Sequence, residues 1–152
     1  MINIQHFPGN LFRRATPIAL MFLASTSLYA QQPMAVTLKG SAEVPVVTTS
    51  ATGTAQITVL PSRVVSGEAG VTGMGPTVAH IHEAAAGKNG PPIISLTKTA
   101  NDRFSVPLDA KLTEAQYTSY LAGNFYVNVH SAQHPDGEIR AQLMGKPMRI
   151  AN

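Results

Sequence analysis

Short β-branched runs recur along this chain, separated by glycine and proline at spacings of roughly eight to twelve residues, the rhythm of an all-β sandwich or barrel. The runs predict strands over residues 35–39, 53–60, 64–72, 77–82, 92–96, 103–106, 125–130 and 138–143. Ala55, Ile57 and Val59 alternate with Thr54, Gln56 and Thr58, the period-2 pattern of a half-buried strand. No internal repeat or low-complexity stretch interrupts the series.

One short helix breaks the β pattern. Thr113 is placed to cap it, and Gln116 three residues on completes a capping box. Leu112 and Tyr117 form a candidate hydrophobic staple, Leu121 closes the apolar stripe, and Gly123 suits a left-handed C-terminal turn. Such a helix would cover one end or edge of the sheet and limit strand-to-strand aggregation.

The N-terminus reads as a secretory signal peptide over residues 1–30. Arg13 and Arg14 make a basic n-region, an uncharged segment from Ala15 to Leu23 follows, and the small Ala30 stands at the cleavage position. The apolar run is about ten residues, half of what spans a bilayer. Its removal takes the formal net charge from +3 to +1, because two arginines leave and no acid does. The basic balance is thus partly a property of the signal, and the remainder has no basic run and no Trp with which to bind nucleic acid. Residues 31–145 read as one domain, with a loose tail over 146–152 and no later segment long enough to anchor it in a membrane. The expected location is periplasmic or secreted. With no cysteine, disulfides, thiolate metal sites and cysteine nucleophiles are all excluded.

The chemistry concentrates in four histidines. His80 and His82 lie at i and i+2 on a predicted strand and project from one face, with Ala79 and Ile81 on the other. In the 125–130 strand, Phe125, Val127 and Val129 form a core set opposite Tyr126, Asn128 and His130. In the next strand, Ile139, Ala141 and Leu143 oppose Glu138, Arg140 and Gln142. If the strands are neighbours, His80, His82 and His130 converge. Imidazole suits copper and zinc, and His134 in the following turn is an optional fourth ligand. Glu83 and Asp136 are candidate partners for orienting a ring, and Asn128, Glu138 and Arg140 would shape the polar face. The competing reading is a solvated face, with Glu138 and Arg140 forming a structural ion pair. No Gly-rich elbow surrounds Ser131, which argues against a serine hydrolase. The loop around Gly87, Lys88, Asn89, Gly90 and Pro91 lacks the spacing of a phosphate-binding loop and reads as a turn. The methionines Met34, Met74, Met144 and Met148 could offer thioethers to Cu(I) but read as packing.

These residues resemble the CHRD domain family, named for the repeated domain of chordin. The resemblance is carried by Leu38-Lys39-Gly40-Ser41-Ala42-Glu43-Val44-Pro45, by Ala79-His80-Ile81-His82 with Gly87-Lys88-Asn89-Gly90-Pro91, and by Gly123-Asn124-Phe125-Tyr126-Val127-Asn128-Val129-His130 continuing through Pro135-Asp136-Gly137-Glu138-Ile139-Arg140. It implies a Greek-key β-sandwich, immunoglobulin-like or superoxide-dismutase-like, with one short helix. His80-Ile81-His82 is also similar to the His-x-His of Cu/Zn superoxide dismutases, where His80, His82 and His130 would correspond to copper ligands. The bridging histidine, zinc loop and cysteine pair of those enzymes have no counterpart here.

Three functions are consistent with this sequence. The first is an exported binding module holding one transition metal, copper before zinc. The second is a metal-free structural or adhesive domain with an extracytoplasmic protein partner. The third is a mononuclear copper redox enzyme of superoxide dismutase-like type.

Overall fold

The computed structural model describes residues 33–145, so the signal segment 1–30 and the tail 146–152 lie outside the described residues. The chain order is β1 (Met34–Lys39), a 3-10 turn (Gly40–Ala42), β2 (Thr52–Val59), β3 (Val65–Thr72), β4 (Pro76–Glu83), β5 (Pro92–Ser95), β6 (Thr97–Ala100), β7 (Arg103–Ser105), α1 (Glu114–Leu121), β8 (Phe125–Ser131) and β9 (Ile139–Leu143). All the strand pairings are antiparallel, in one sheet of order β5-β4-β8-β9-β1-β2-β3-β7-β6. Among the described residues the chain therefore adopts the all-β class with one α-helix.

The two ends of the sheet are consecutive in sequence. Only Leu96 separates β5 from β6, and its N–H donates to the Ala79 carbonyl of β4 at 2.9 Å. Lys98 Nζ of β6 donates to the Pro76 carbonyl, also of β4, at 2.6 Å. The sheet is thereby rolled until it nearly closes. Its interior is lined by Leu38, Ile57, Val71, Ile81, Phe104, Val127 and Ile139, each at most 3% exposed. Burial of these side chains is the main favourable contribution to the fold, at about 1.5–3 kcal/mol each.

The sequence pattern misses β6. Its four residues, Thr97–Ala100, are all exposed, so no apolar alternation marks them. Pairing with β7 makes them a strand.

The capping box of α1 forms as expected: Gln116 N–H donates to Thr113 Oγ1, and Thr113 N–H donates to Gln116 Oε1. Gly123 takes φ +80° beyond the C-terminus. The apolar stripe differs from expectation. Leu121 is 42% exposed, while Tyr120 is 3% exposed and meets Phe125 edge-on, with centroids 5.7 Å apart. Tyr117 and Tyr120, three residues apart, share the buried side of the helix, and a further 100° of rotation carries Leu121 off it.

Candidate metal centre

Strands β4, β8 and β9 lie side by side, and their register sets residues in rows. His80 faces Asn128, which faces Arg140; His82 faces Tyr126, which faces Gln142; Val78 faces His130. Ala79, Ile81, Val127, Val129 and Ile139 take the other face and enter the core. Period 2 therefore collects the histidines on one face, as their spacing predicted.

That face is covered rather than solvated. Tyr126, Asn128, Glu138 and Arg140 are each at most 4% exposed, and every residue of β8 is buried. The cover is loop 84–91, between β4 and β5. Its Ala84 carbonyl accepts from Gln142 Nε2 at 3.0 Å, its Lys88 carbonyl from Arg140 Nη2 at 2.8 Å, and Asn89 Oδ1 from Arg140 Nη1 at 3.0 Å. Asn89 Nδ2 donates in turn to the Val44 carbonyl at 2.6 Å, tying loop 84–91 to the segment between β1 and β2. All of β8, and all of β9 but the half-buried Gln142, are thus buried, with loop 84–91 supplying backbone acceptors for Arg140 and Gln142.

His80, His82 and His130 each offer a ring nitrogen within 4.8 Å of the others. All three nitrogens therefore lie within about 3 Å of a common point, against ~2 Å for a metal–imidazole bond. His82 Nδ1–H donates to the Gly90 carbonyl at 2.9 Å, and His130 Nδ1–H donates to the Pro135 carbonyl at 2.9 Å. A carbonyl only accepts, so in each neutral ring the proton sits on Nδ1 and Nε2 carries a lone pair. His80 Nδ1 lies 3.1 Å from His130 Nε2 and donates to it. His82 Nε2 is buried with no partner.

The surroundings favour neutral imidazole. Burial pushes His80 below the ordinary histidine value, and His130 and His82 push the same way. Burial also lowers His82; the Gly90 carbonyl opposes it, while His130 and Arg140 add to it. A neutral His82 with its proton fixed on Nδ1 by the Gly90 carbonyl and its Nε2 lone pair free is in the ligating state. A buried lone pair without a donor costs on the order of 1–3 kcal/mol, and a bound cation removes that cost. The residues present thus fit a borderline-soft transition metal, with His82 Nε2 as the observation that carries the fit.

The rest of the face is structural support. Tyr126 stacks on His82, with centroids 4.8 Å apart and planes 11° from parallel, and its ring centroid lies 3.4 Å from the Arg140 guanidinium carbon. Glu138 makes no ion pair with Arg140. Its Oε1 accepts instead from Thr49 Oγ1 at 2.7 Å, tying β9 to the segment between β1 and β2. Asn128 Oδ1 is buried without a partner, and its amide packs against Gly137, where φ is +132° and a Cβ would strike it.

Other expected participants stand apart. His134 lies in the β8–β9 turn, where its backbone bonds Ser131 and Gly137, and it is not in the three-histidine group. The exposed Asp136 and half-buried Glu83 do not orient the rings; the backbone carbonyls of Pro135 and of Gly90, which precedes Pro91, do so for His130 and His82. Backbone acceptors leave no side-chain signature, so sequence patterning had no means to find them. Glu43 was also missed as a buried group. It is 6% exposed, and burial pushes its carboxyl up to about 7, with the charge of Arg140 opposing.

The fold and this cluster define an all-β domain whose three clustered histidines could hold a metal ion. The CHRD domain family model matches residues 34–143, and the chain belongs to that family. No curated protein and no solved structure is similar enough to this chain to match it. Among the described residues, no helix is long and apolar enough to cross a membrane.

Proposed function

We propose that this protein is an exported CHRD-domain binding module that holds one transition-metal ion through His80, His82 and His130, copper before zinc. The unpartnered, buried Nε2 of His82, beside two further imidazole nitrogens, carries the reading. His82 and His130 would ligate through Nε2, their Nδ1 protons being retained by the Gly90 and Pro135 carbonyls. His80 Nδ1 would contribute once its proton moves to the outward nitrogen of the same ring. Copper is placed first because an all-imidazole set of three favours it in the divalent affinity order. The signal segment would deliver the domain outside the cytoplasm, and mass spectrometry of the secreted or periplasmic protein should give a mature N-terminus near Gln31.

Titration of the purified mature domain with Cu(II), followed by EPR and calorimetry, tests the site. One tight equivalent with nitrogen hyperfine structure is expected, lost in His82→Ala and retained in His134→Ala. Absence of stoichiometric binding, or binding indifferent to His82→Ala, removes the reading. A metal-free interaction module is the second reading, favoured by the His80–His130 hydrogen bond, which satisfies both facing nitrogens without an ion. It leaves His82 Nε2 unexplained.

A further inference from the structure

The cluster does not itself hold His82 in position. The ring is fixed by the Gly90 carbonyl, so the state of His82 depends on where Gly90 stands. A Cβ at Gly90 would run into the Glu83 carbonyl, so the loop can approach β4 this closely only with glycine there. Gly90 is held from below by Tyr126: the Gly90 N–H donates to the Tyr126 hydroxyl at 3.2 Å, and the hydroxyl faces the Gly90 carbonyl at 3.4 Å. The two preceding residues are held by Arg140, through Lys88 O and Asn89 Oδ1. The same two side chains flank one another and His82, since the Tyr126 ring stacks on the imidazole and lies against the guanidinium. The contacts close a circuit from Arg140 through loop 84–91 to His82 and back through Tyr126. His130 lies outside it, held by Pro135 in a different turn.

We propose that Arg140 and Tyr126 are positioning residues for the metal centre, locking His82 through loop 84–91 into the single tautomer that presents Nε2. The consequence for metal affinity rests on the metal-binding reading above; the tautomer itself does not. Arg140 suits this role because its rigid fork meets two acceptors at once and its flat cation packs on an aromatic ring, which a lysine would not reproduce.

The test uses the full chain with histidine labelled by 15N, metal-free at pH 7.5, compared with Tyr126→Phe and Asn89→Ala. Tyr126→Phe keeps the ring stack and removes only the hydroxyl. Asn89→Ala weakens the Arg140 grip without touching that buried side chain. The wild type should show His82 as one tautomer protonated on Nδ1. In both variants the His82 signals should move toward a tautomer mixture while those of His130 stay in place, and Cu(II) affinity should fall about tenfold, at the lower end of losses from outer-shell changes. Unchanged His82 signals in both variants overturn the proposal, as does a parallel change at His82 and His130, which would mark general loosening. A His82-specific change in a protein that takes up no Cu(II) sustains the positioning role and removes the metal reading. Tight binding that neither variant weakens sustains the metal reading and removes the positioning role.

Discussion

Two parts of one sheet treat the same strand alternation in opposite ways. In β2, Thr52, Thr54 and Gln56 are exposed, while Gly53, Ala55 and Ile57 between them are buried. The outer residues there stand open to solvent. In β8, Phe125, Val127 and Val129 alternate with Tyr126, Asn128 and His130, yet both sets are buried. Loop 84–91 and the β1–β2 segment have replaced water over β8 and its neighbours: the loop brings the Lys88 and Ala84 carbonyls as acceptors, and Thr49 of the segment donates to Glu138. A polar face becomes a chemical site when its solvent is replaced by fixed dipoles, because neutral imidazoles are then favoured and hydrogen-bond partners are fixed in number.

The contrast predicts a gradient of effects. The largest belongs to the shared inner face: Phe125→Ala should cost about 3–5 kcal/mol in urea unfolding, since it empties a packed position beside Tyr120. A cost below 1 kcal/mol would mean that the inner face of β8 is not core. Next comes the metal. Cu(II) free at a hundred times its Kd should stabilise the wild type by about 2.7 kcal/mol and leave His82→Ala unmoved; calorimetric melting with and without chelator measures this. Thr49→Val, which strands Glu138 Oε1 under the cover, should cost about 1–3 kcal/mol. The equivalent outward substitution on the exposed side, Thr54→Ala, should stay within about 0.5 kcal/mol. Equal costs for Thr49→Val and Thr54→Ala would erase the distinction between covered and open faces.

The covered face should also answer to pH, with two opposing signs. His80 and His82 titrate below 6.5 when folded, so as pH falls through 6.5 the unfolded rings take up protons first and stability declines. Glu43 stays protonated up to about 7 when folded but ionises from 4.5 when unfolded, so its contribution declines as pH rises between those values. Urea unfolding of metal-free protein across pH 5–7.5 should show Glu43→Gln losing stability on acidification more steeply than the wild type. The double variant His80→Ala, His82→Ala should instead gain stability on acidification. Identical slopes in all three proteins would show that neither group is buried in the way described.

Much of this was legible along the chain. The strands other than β6 follow the β-branched runs between glycines and prolines, and Thr113 with Gln116 marks the helix start. The parity of His80, His82 and His130 against Ala79, Ile81 and Val129 placed three rings on one face. Convergence required β4 to neighbour β8, which is a long-range pairing with no local signal. The same limit applies to Glu138, whose partner Thr49 comes from a loop far back in the chain, and which therefore does not pair with Arg140 two residues away.

By itself the sequence determined the all-β class, the single capped helix, the face on which each histidine stands and the exclusion of thiolate chemistry, because these follow from periods, caps and residue types within a few positions. Tertiary structure alone decided that the polar face is covered, that the Gly90 and Pro135 carbonyls orient two of the rings, and that His82 Nε2 is left buried without a partner. Those properties arise where loops distant in sequence displace water from strands, and burial and hydrogen-bond partnership are fixed by which segments meet in space.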